Sequence, residues 1–371
     1  MRVLFDAYWW SDGPISNRSV QREFILTWAS LFPADQLVLA LRRDADASDV
    51  PSGARVVRTR LWPQALANRM ELGPLARRVH ADAILAHNYA PAGFPSVVFI
   101  HDVMFVDHPE WFSRAELLYF SPMLRWARGA AVVAASTSTE ADRIHRLEPR
   151  LGETCVTGLG VPTALADTPG VRPDALPETA EGFAVTVGRL NVRKNLELIL
   201  AAAARSSRID SRHPLVVVGT TAHSGVSTEF SAEVRRSLDQ GRLLMVGGVD
   251  DASLAWLYRN ASLAITLSLD EGFGMPAVEA ARFGVPLLAS DIPVFRETVG
   301  GYADFIAPTS GPELVAAAID GAWGKAPSTE SRRAVRERYT WENAVGALRQ
   351  SVQDLVLRAA PGEGGVRWNR G

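Results

Sequence analysis

One stretch constrains this chain more than any other: residues 263–290, LAITLSLDEGFGMPAVEAARFGVPLLAS. It reads as strand, glycine-bearing loop, short helix, tight turn and second strand. Residues 263–267 form an apolar run of strand length, long enough to be buried on both faces of a parallel sheet. Gly272 and Gly274 follow, where a chain turns sharply or lets its backbone approach a ligand. Pro276 suits the first helical turn, because its missing N–H has no intrahelical partner there. Residues 277–283 continue the helix, Gly284 stops it, and Pro286 opens the next strand.

Two carboxylates frame this unit, Glu271 before the loop and Glu279 in the first helical turn. Both are expected at the carboxyl end of the strand, where open α/β sheets bind ligands. The free N–H groups at the helix start suit a phosphate. Carboxylates beside it would repel phosphate, so they are expected to accept hydrogen bonds from hydroxyls. Phosphate and hydroxyls together point to a ligand such as a nucleotide sugar.

At 371 residues the chain exceeds the usual single-domain size, so two domains are expected. The stretch 168–181, TPGVRPDALPETAE, lacks periodicity and is the expected linker. Before it, 3–6, 36–41, 55–59, 83–86, 97–100, 130–135 and 154–161 read as strands, with a helix over 20–31. After it, 183–188, 215–219, 243–247, 263–267, 287–290 and 304–306 alternate with helical patterns, as parallel sheets require. A net charge of −2 excludes a strongly basic, non-specific nucleic-acid binder. The single cysteine, Cys155, excludes an intrachain disulfide framework and suits a reducing cytoplasm. Met1-Arg2 runs straight into a strand without a secretory signal, and no apolar run reaches transmembrane length.

A second constellation, Gly188-Arg189-Leu-Asn-Val-Arg-Lys194-Asn195, follows the first strand of the second half. A cation at a helix N-terminus opposes the macrodipole, and the violation makes sense where an anion binds. Neither 219–221 nor 247–249 carries a dinucleotide fingerprint, and no phosphate-loop motif is present.

The run Glu271-Gly-Phe-Gly-Met-Pro-Ala-Val-Glu279-Ala, with Gly284-Val-Pro286, Ser290-Asp291 and Glu297 before Gly300-Gly301, resembles the E-x7-E signature of the retaining glycosyltransferases of family 4. The resemblance implies an α/β protein of the GT-B fold, two Rossmann-like domains with parallel sheets facing an interdomain cleft. It implies an acceptor-binding domain over 1–167, a donor-binding domain over 182–340, a helix over 341–358 crossing back to the first domain, and a disordered tail over 359–371. Arg189 and Lys194 match the basic pair that neutralises the donor diphosphate, while Arg193 is one residue out of that pattern. Glu279 would bind the ribose, and Glu271 the sugar hydroxyls, helped by the Gly272, Phe273 and Gly274 backbone. By the same analogy His101 lies beside the donor sugar. Gly13 faces the donor phosphates, and Asp12, Arg18 and Asp102 lie on the acceptor side. The residues themselves leave other readings open: His101-Asp102 as a strand-terminal pair tying down a loop, and Trp9 and Trp10 as core packing.

Over 61–79 the chain carries Trp62, Leu66, Met70, Leu72 and Leu75 among arginines. The resemblance allows peripheral membrane contact there, at the inner face of a membrane. The residues read as a solvated basic face over a core-packed stripe, with Gly73-Pro74 interrupting any continuous helix. His101, Asp102, Asp107 and His108 lack the spacing of a metal site. No metal and no cofactor are expected; the partners implied are a nucleotide sugar and a hydroxyl-bearing acceptor. GDP-mannose is the first candidate donor, then a UDP- or dTDP-hexose. The rivals are a sugar-nucleotide epimerase or hydrolase of the same fold, and a catalytically silent sugar-nucleotide-binding subunit.

Overall fold

A computed structural model describes residues 1–188, 191–219 and 230–359. They form two compact units. The first comprises Met1–Asp107, Arg114–Pro162 and the chain from Thr340 onward; the second comprises His108–Ser113 and Thr163–Tyr339.

In the first unit the described residues form seven strands: β1 Arg2–Ala7, β2 Gln36–Arg42, β3 Arg55–Thr59, β4 Ala83–His87, β5 Ser96–Ile100, β6 Val132–Ala135 and β7 Glu153–Val156. They pair in parallel in the order β3-β2-β1-β4-β5-β6-β7. β4, β5 and β6 are buried along their whole length, as strands covered on both faces must be. The last strand ends well before residue 161, because Gly158 turns to φ +69° and takes the chain out of the extended region.

Two helices depart from the sequence reading. The first starts at Ile15, not near 20, because Pro14 presets the entry; its buried face, Val20, Phe24, Ile25 and Trp28, begins only after this exposed first turn. The second departure reverses an amphipathic reading. Helix Gln64–Met70 buries Gln64 and Asn68 and exposes Leu66 and Met70, with Trp62 just before it also exposed. The cause is Asp6, a buried carboxylate at the end of β1, whose Oδ2 accepts from Gln64 Nε2 at 2.9 Å, Asn68 Nδ2 at 2.7 Å and His87 N at 3.1 Å. Burial pushes the Asp6 carboxyl up, against these donors. A buried anion demands hydrogen bonds, so the polar side of the helix turns inward. In keeping with Gly73-Pro74, the stretch 61–79 is not one continuous helix: the break falls at Glu71, because Pro74 has no N–H for the carbonyl of Met70, and helix Leu72–Arg78 starts anew with Pro74 in its first turn.

The long final helix, Trp341–Ala359, packs on helix Ile15–Leu31 and on β4, β5 and β7. Trp341 Nε1 donates to Val161 O at 2.9 Å, and its ring meets Phe24 edge-on.

The second unit holds β8 Ala184–Val187, β9 Leu215–Val218, β10 Leu243–Gly247, β11 Leu263–Thr266, β12 Leu287–Ser290 and β13 Asp304–Ile306. Among the described residues they form one parallel sheet ordered β10-β9-β8-β11-β12-β13. Strand order reverses between β8 and β11, which makes their carboxyl ends the topological switch point. One core cluster packs Ile199, Leu200, Val217, Ile265, Leu288, Val315 and Ile319 across sheet and helices. The aperiodic stretch 168–181 does not hang free. Val171 N donates to Ala252 O at 3.1 Å, Arg259 reaches Thr168 O, and Arg172 lies over Trp256. Helix Asp251–Asn260 thus supplies partners to a segment that has no periodic pattern of its own. Among the described residues no helix is long and apolar enough to cross a membrane.

Candidate functional site

The chain leaving β11 and the chain leaving β8 meet at the switch point of the second unit. Helix Met275–Phe283 is bracketed by Gly274 at φ +81° and Gly284 at φ +84°. At Gly274 a side chain is excluded twice, by the left-handed backbone and because a Cβ would stand 2.3 Å from the Phe295 ring. Since the helix begins at Met275, Glu279 lies one turn deeper than the first-turn position expected for it. It is buried, and the Tyr258 hydroxyl donates to its Oε2 at 2.9 Å. Burial raises the Glu279 carboxyl to about 7, against the pull of Tyr258 and Lys194.

After β8, Asn191 caps the one-turn helix Val192–Lys194 by accepting from Lys194 N at 3.1 Å. Asn195 at φ +52° then redirects the chain into helix Leu196–Arg205, and its Nδ2 anchors on Pro308 O. This path carries Lys194 alongside Gly188, whose absent side chain leaves room for the lysine stem. Lys194 Nζ reaches Glu271 Oε1 at 2.5 Å, and Ser268 Oγ donates to the same oxygen at 2.7 Å. Glu271 N in turn donates to Asp270 Oδ1 at 2.8 Å. Burial pushes the Glu271 carboxyl up, but the charges of Lys194 and Arg193 outweigh it and hold the group below the usual range. A cavity at the ends of β8 and β9 is lined by Thr186, Gly188, Lys194, Leu196 and Val218. Arg189 lies outside the described residues, as do Thr220 and Thr221.

The structure therefore brings Lys194, Glu271 and Glu279 to one sheet edge and adds three residues that sequence reasoning missed. Tyr258 gave no local signal, since a tyrosine on a helix face reads as packing. Ser268 is the polar residue in the loop just after β11, three positions before Glu271. Arg193, left unassigned, places its charge near Glu271. His108 belongs to this unit too: its ring stacks on Trp111 at 3.9 Å and its Nε2 stands 3.8 Å from Asp270 Oδ2.

The remaining candidates lie in the first unit. Gly13, at φ +113°, presses on the Trp9 ring, which donates from Nε1 to Gln64 Oε1. Trp10 is fully buried and hydrogen-bonded to Asp49, so it is packing. Asp12 pairs with Arg42 at 2.6 Å, and Arg18 reaches Ser11 O. Asp102 Oδ1 accepts from Met104 N at 3.4 Å, a local cap. His101 stacks on His87 with ring centroids 5.6 Å apart, and its Nε2 is buried without a partner. Burial lowers the ring to about 4, so His101 is neutral at physiological pH. Asp107 is taken up by Arg143 and Arg146. Among the described residues no three metal-ligating side chains converge.

Residues 171–338 match the family model described as glycosyl transferases group 1. The chain is 29% identical over 170 residues to the O-antigen chain mannosyltransferase B of Escherichia coli, which covers 44% of this chain and 43% of that protein. It is 29% identical over 194 residues to the GDP-mannose:cellobiosyl-diphosphopolyprenol alpha-mannosyltransferase of Komagataeibacter xylinus, covering 51% of this chain and 49% of the relative. The chain thus spans less than half the length of these relatives. Among solved structures it is similar to the sucrose-phosphate synthase of Thermosynechococcus elongatus, with TM-score 0.71 and 19% identity over 96% of this chain and 99% of the other. Residues 171–338 are thereby similar to the glycosyl transferases of group 1, and the chain has the GT-B fold class of two parallel-sheet α/β units.

Proposed function

We propose that this chain is a retaining glycosyltransferase of family 4 that moves a hexose from a nucleotide sugar, GDP-mannose in the first instance, to a hydroxyl of a glycan, lipid-linked sugar or natural product. The observation that carries the reading is the meeting of Lys194, Glu271 and Glu279 at the switch point of the second unit's sheet. The printed names of the mannosyltransferase relatives support the choice of donor.

Lys194, with Arg189, would stabilise the leaving diphosphate as negative charge grows on it. An ammonium has three donors, so Lys194 can hold Glu271 and a phosphate oxygen together. Glu271, kept ionised by Lys194, accepts from sugar hydroxyls, with Gly272, Phe273 and Gly274 lending backbone. It positions the sugar and is not a nucleophile; the leaving phosphate itself deprotonates the acceptor. Glu279 accepts from the ribose hydroxyls, and His101 meets the sugar as a neutral imidazole. The two cations take the charge-neutralising role that a divalent ion fills elsewhere.

The test is thermal shift of the purified chain against GDP, UDP, dTDP and ADP with EDTA present, followed by transfer assays with the sugar form of whichever nucleotide stabilises. One nucleotide is expected to raise the melting temperature, because a ligand bound only by the native state stabilises it. Lys194→Ala is expected to cut turnover about 100- to 1,000-fold while the fold survives. No response to any nucleotide would overturn the reading, and near-normal turnover of the variant would remove Lys194 from the diphosphate.

A further inference from the structure

We propose that Tyr258 is a positioning residue for nucleotide binding: its hydroxyl fixes the Glu279 carboxylate so that the free oxygen receives the ribose. The proposal rests on the ribose role given to Glu279 above. Tyr258 stands in helix Asp251–Asn260, fully buried, with its ring stacked on Phe283 at 5.5 Å and an interplanar angle of 16°. That stack aims the hydroxyl at Glu279 Oε2, 2.9 Å away, and leaves Oε1 to a ligand. A buried carboxylate without a donor would rotate away from the ribose or take up a proton, which leaves it a weaker acceptor for a hydroxyl.

Tyr258 serves both protonation states. Its one proton goes to ionised Glu279, the nearer acceptor. When Glu279 is protonated, the carboxyl can donate to the phenol oxygen while the phenol proton turns to Pro276 O, 3.4 Å away. The charged groups acting on Glu279 are Lys194, which favours its ionised form, and Asp251, which opposes it. Removing the Tyr258 donor removes a further support of the ionised form, so the pH below which nucleotide binding fails must rise.

The experiment compares wild type and Tyr258→Phe, which keeps the ring stack, by calorimetric titration with a nucleoside diphosphate and its 2′,3′-dideoxy analogue between about pH 5.5 and 8.5. Wild type is expected to prefer the diphosphate with intact ribose. The variant is expected to lose about tenfold in affinity for it, to lose little for the dideoxy form, and to show its acid limb at higher pH. At saturating donor kcat changes little, and the loss appears in KM. Equal losses for both nucleotides, or an unmoved acid limb, would show a merely structural tyrosine and overturn the proposal. If wild type itself does not distinguish the two nucleotides, the ribose role of Glu279 fails first. Should Tyr258→Phe not fold, 3-fluorotyrosine at position 258 keeps the ring and strengthens the donor, and it must move the acid limb to lower pH; no movement overturns the proposal.

Discussion

Glu271 and Glu279 share one loop and helix, and both are buried, yet their carboxyls are driven in opposite directions. Glu271 has an ammonium at 2.5 Å and the Arg193 charge nearby; Glu279 has a neutral phenol as its direct partner. Burial alone raises a carboxyl, and at Glu271 a close cation reverses it. The consequence for stability differs in sign. The Glu279 carboxyl stands at about 7 when folded against an ordinary 4.5, so between those values the folded chain holds more protons than the unfolded one. Stability therefore falls as pH rises through that window, and the penalty is fully present above it. Glu279→Gln is expected to stabilise the protein by up to roughly 3 kcal/mol near pH 8, and to give almost nothing near pH 4, while weakening the ribose contact. Denaturant melts at the two pH values measure this, and a gain independent of pH would refute the assignment. Glu271 is the opposite case: its ionised form adds stability at neutral pH that is lost on acidification.

Among the elements, helix Gln64–Met70 shows how one buried charge overrides an amphipathic pattern. The apolar residues at 62, 66 and 70 fall on one face, and pattern alone would bury them. Asp6, buried near the end of β1, recruits the opposite face because an unpaired carboxylate costs more than burying a few methylenes would gain. Asn68→Leu, which a reading by hydrophobicity would favour, is expected to destabilise the first unit by about 1–3 kcal/mol, since it leaves Asp6 short of a donor. Leu66→Ser on the exposed face is expected to stay within about 0.5 kcal/mol of wild type. Urea titrations of the two variants decide the matter; the reverse ranking would mean that the helix buries its apolar face in solution.

Across the whole molecule, the first unit is completed by the end of the chain. Asp35 gathers the Met1 ammonium at 3.1 Å, Trp28 Nε1 at 3.1 Å and Arg349 Nε at 2.9 Å, so residues more than 300 positions apart meet on one carboxylate. Burial would raise this group, but Arg349 and the ammonium hold it below the usual range. Around that knot, helix Trp341–Ala359 buries Val345, Leu348, Val352 and Leu355. Leu348→Ala should cost about 2–5 kcal/mol through lost burial and the cavity left behind. Because a two-unit chain need not unfold in one step, calorimetry should show the loss in a single transition. The nucleotide-dependent shift should remain in the other. A loss confined to the nucleotide-responsive transition would contradict the placement of this helix.

The local chemistry of the second unit was legible in the order of residues. The strand-length apolar run before Glu271, the glycines that leave left-handed backbone open, Pro276 in a first turn and Gly284 after the last one act within a few residues, and steric rules alone fix their effect. The alternation of strands and helices likewise announced two parallel sheets, because each period shows which face is buried. Three things waited for tertiary structure. The inward turn of Gln64 and Asn68 depends on Asp6, some sixty positions away, and no window along the chain contains both. The stretch 168–181, aperiodic in itself, found its hydrogen bonds on a helix far along the chain. Tyr258 became a partner of Glu279 only when two helices packed side by side. The residue order determined which backbone paths and which reactive groups were available; packing decided which of those groups touch, and with it which buried carboxylate keeps its charge.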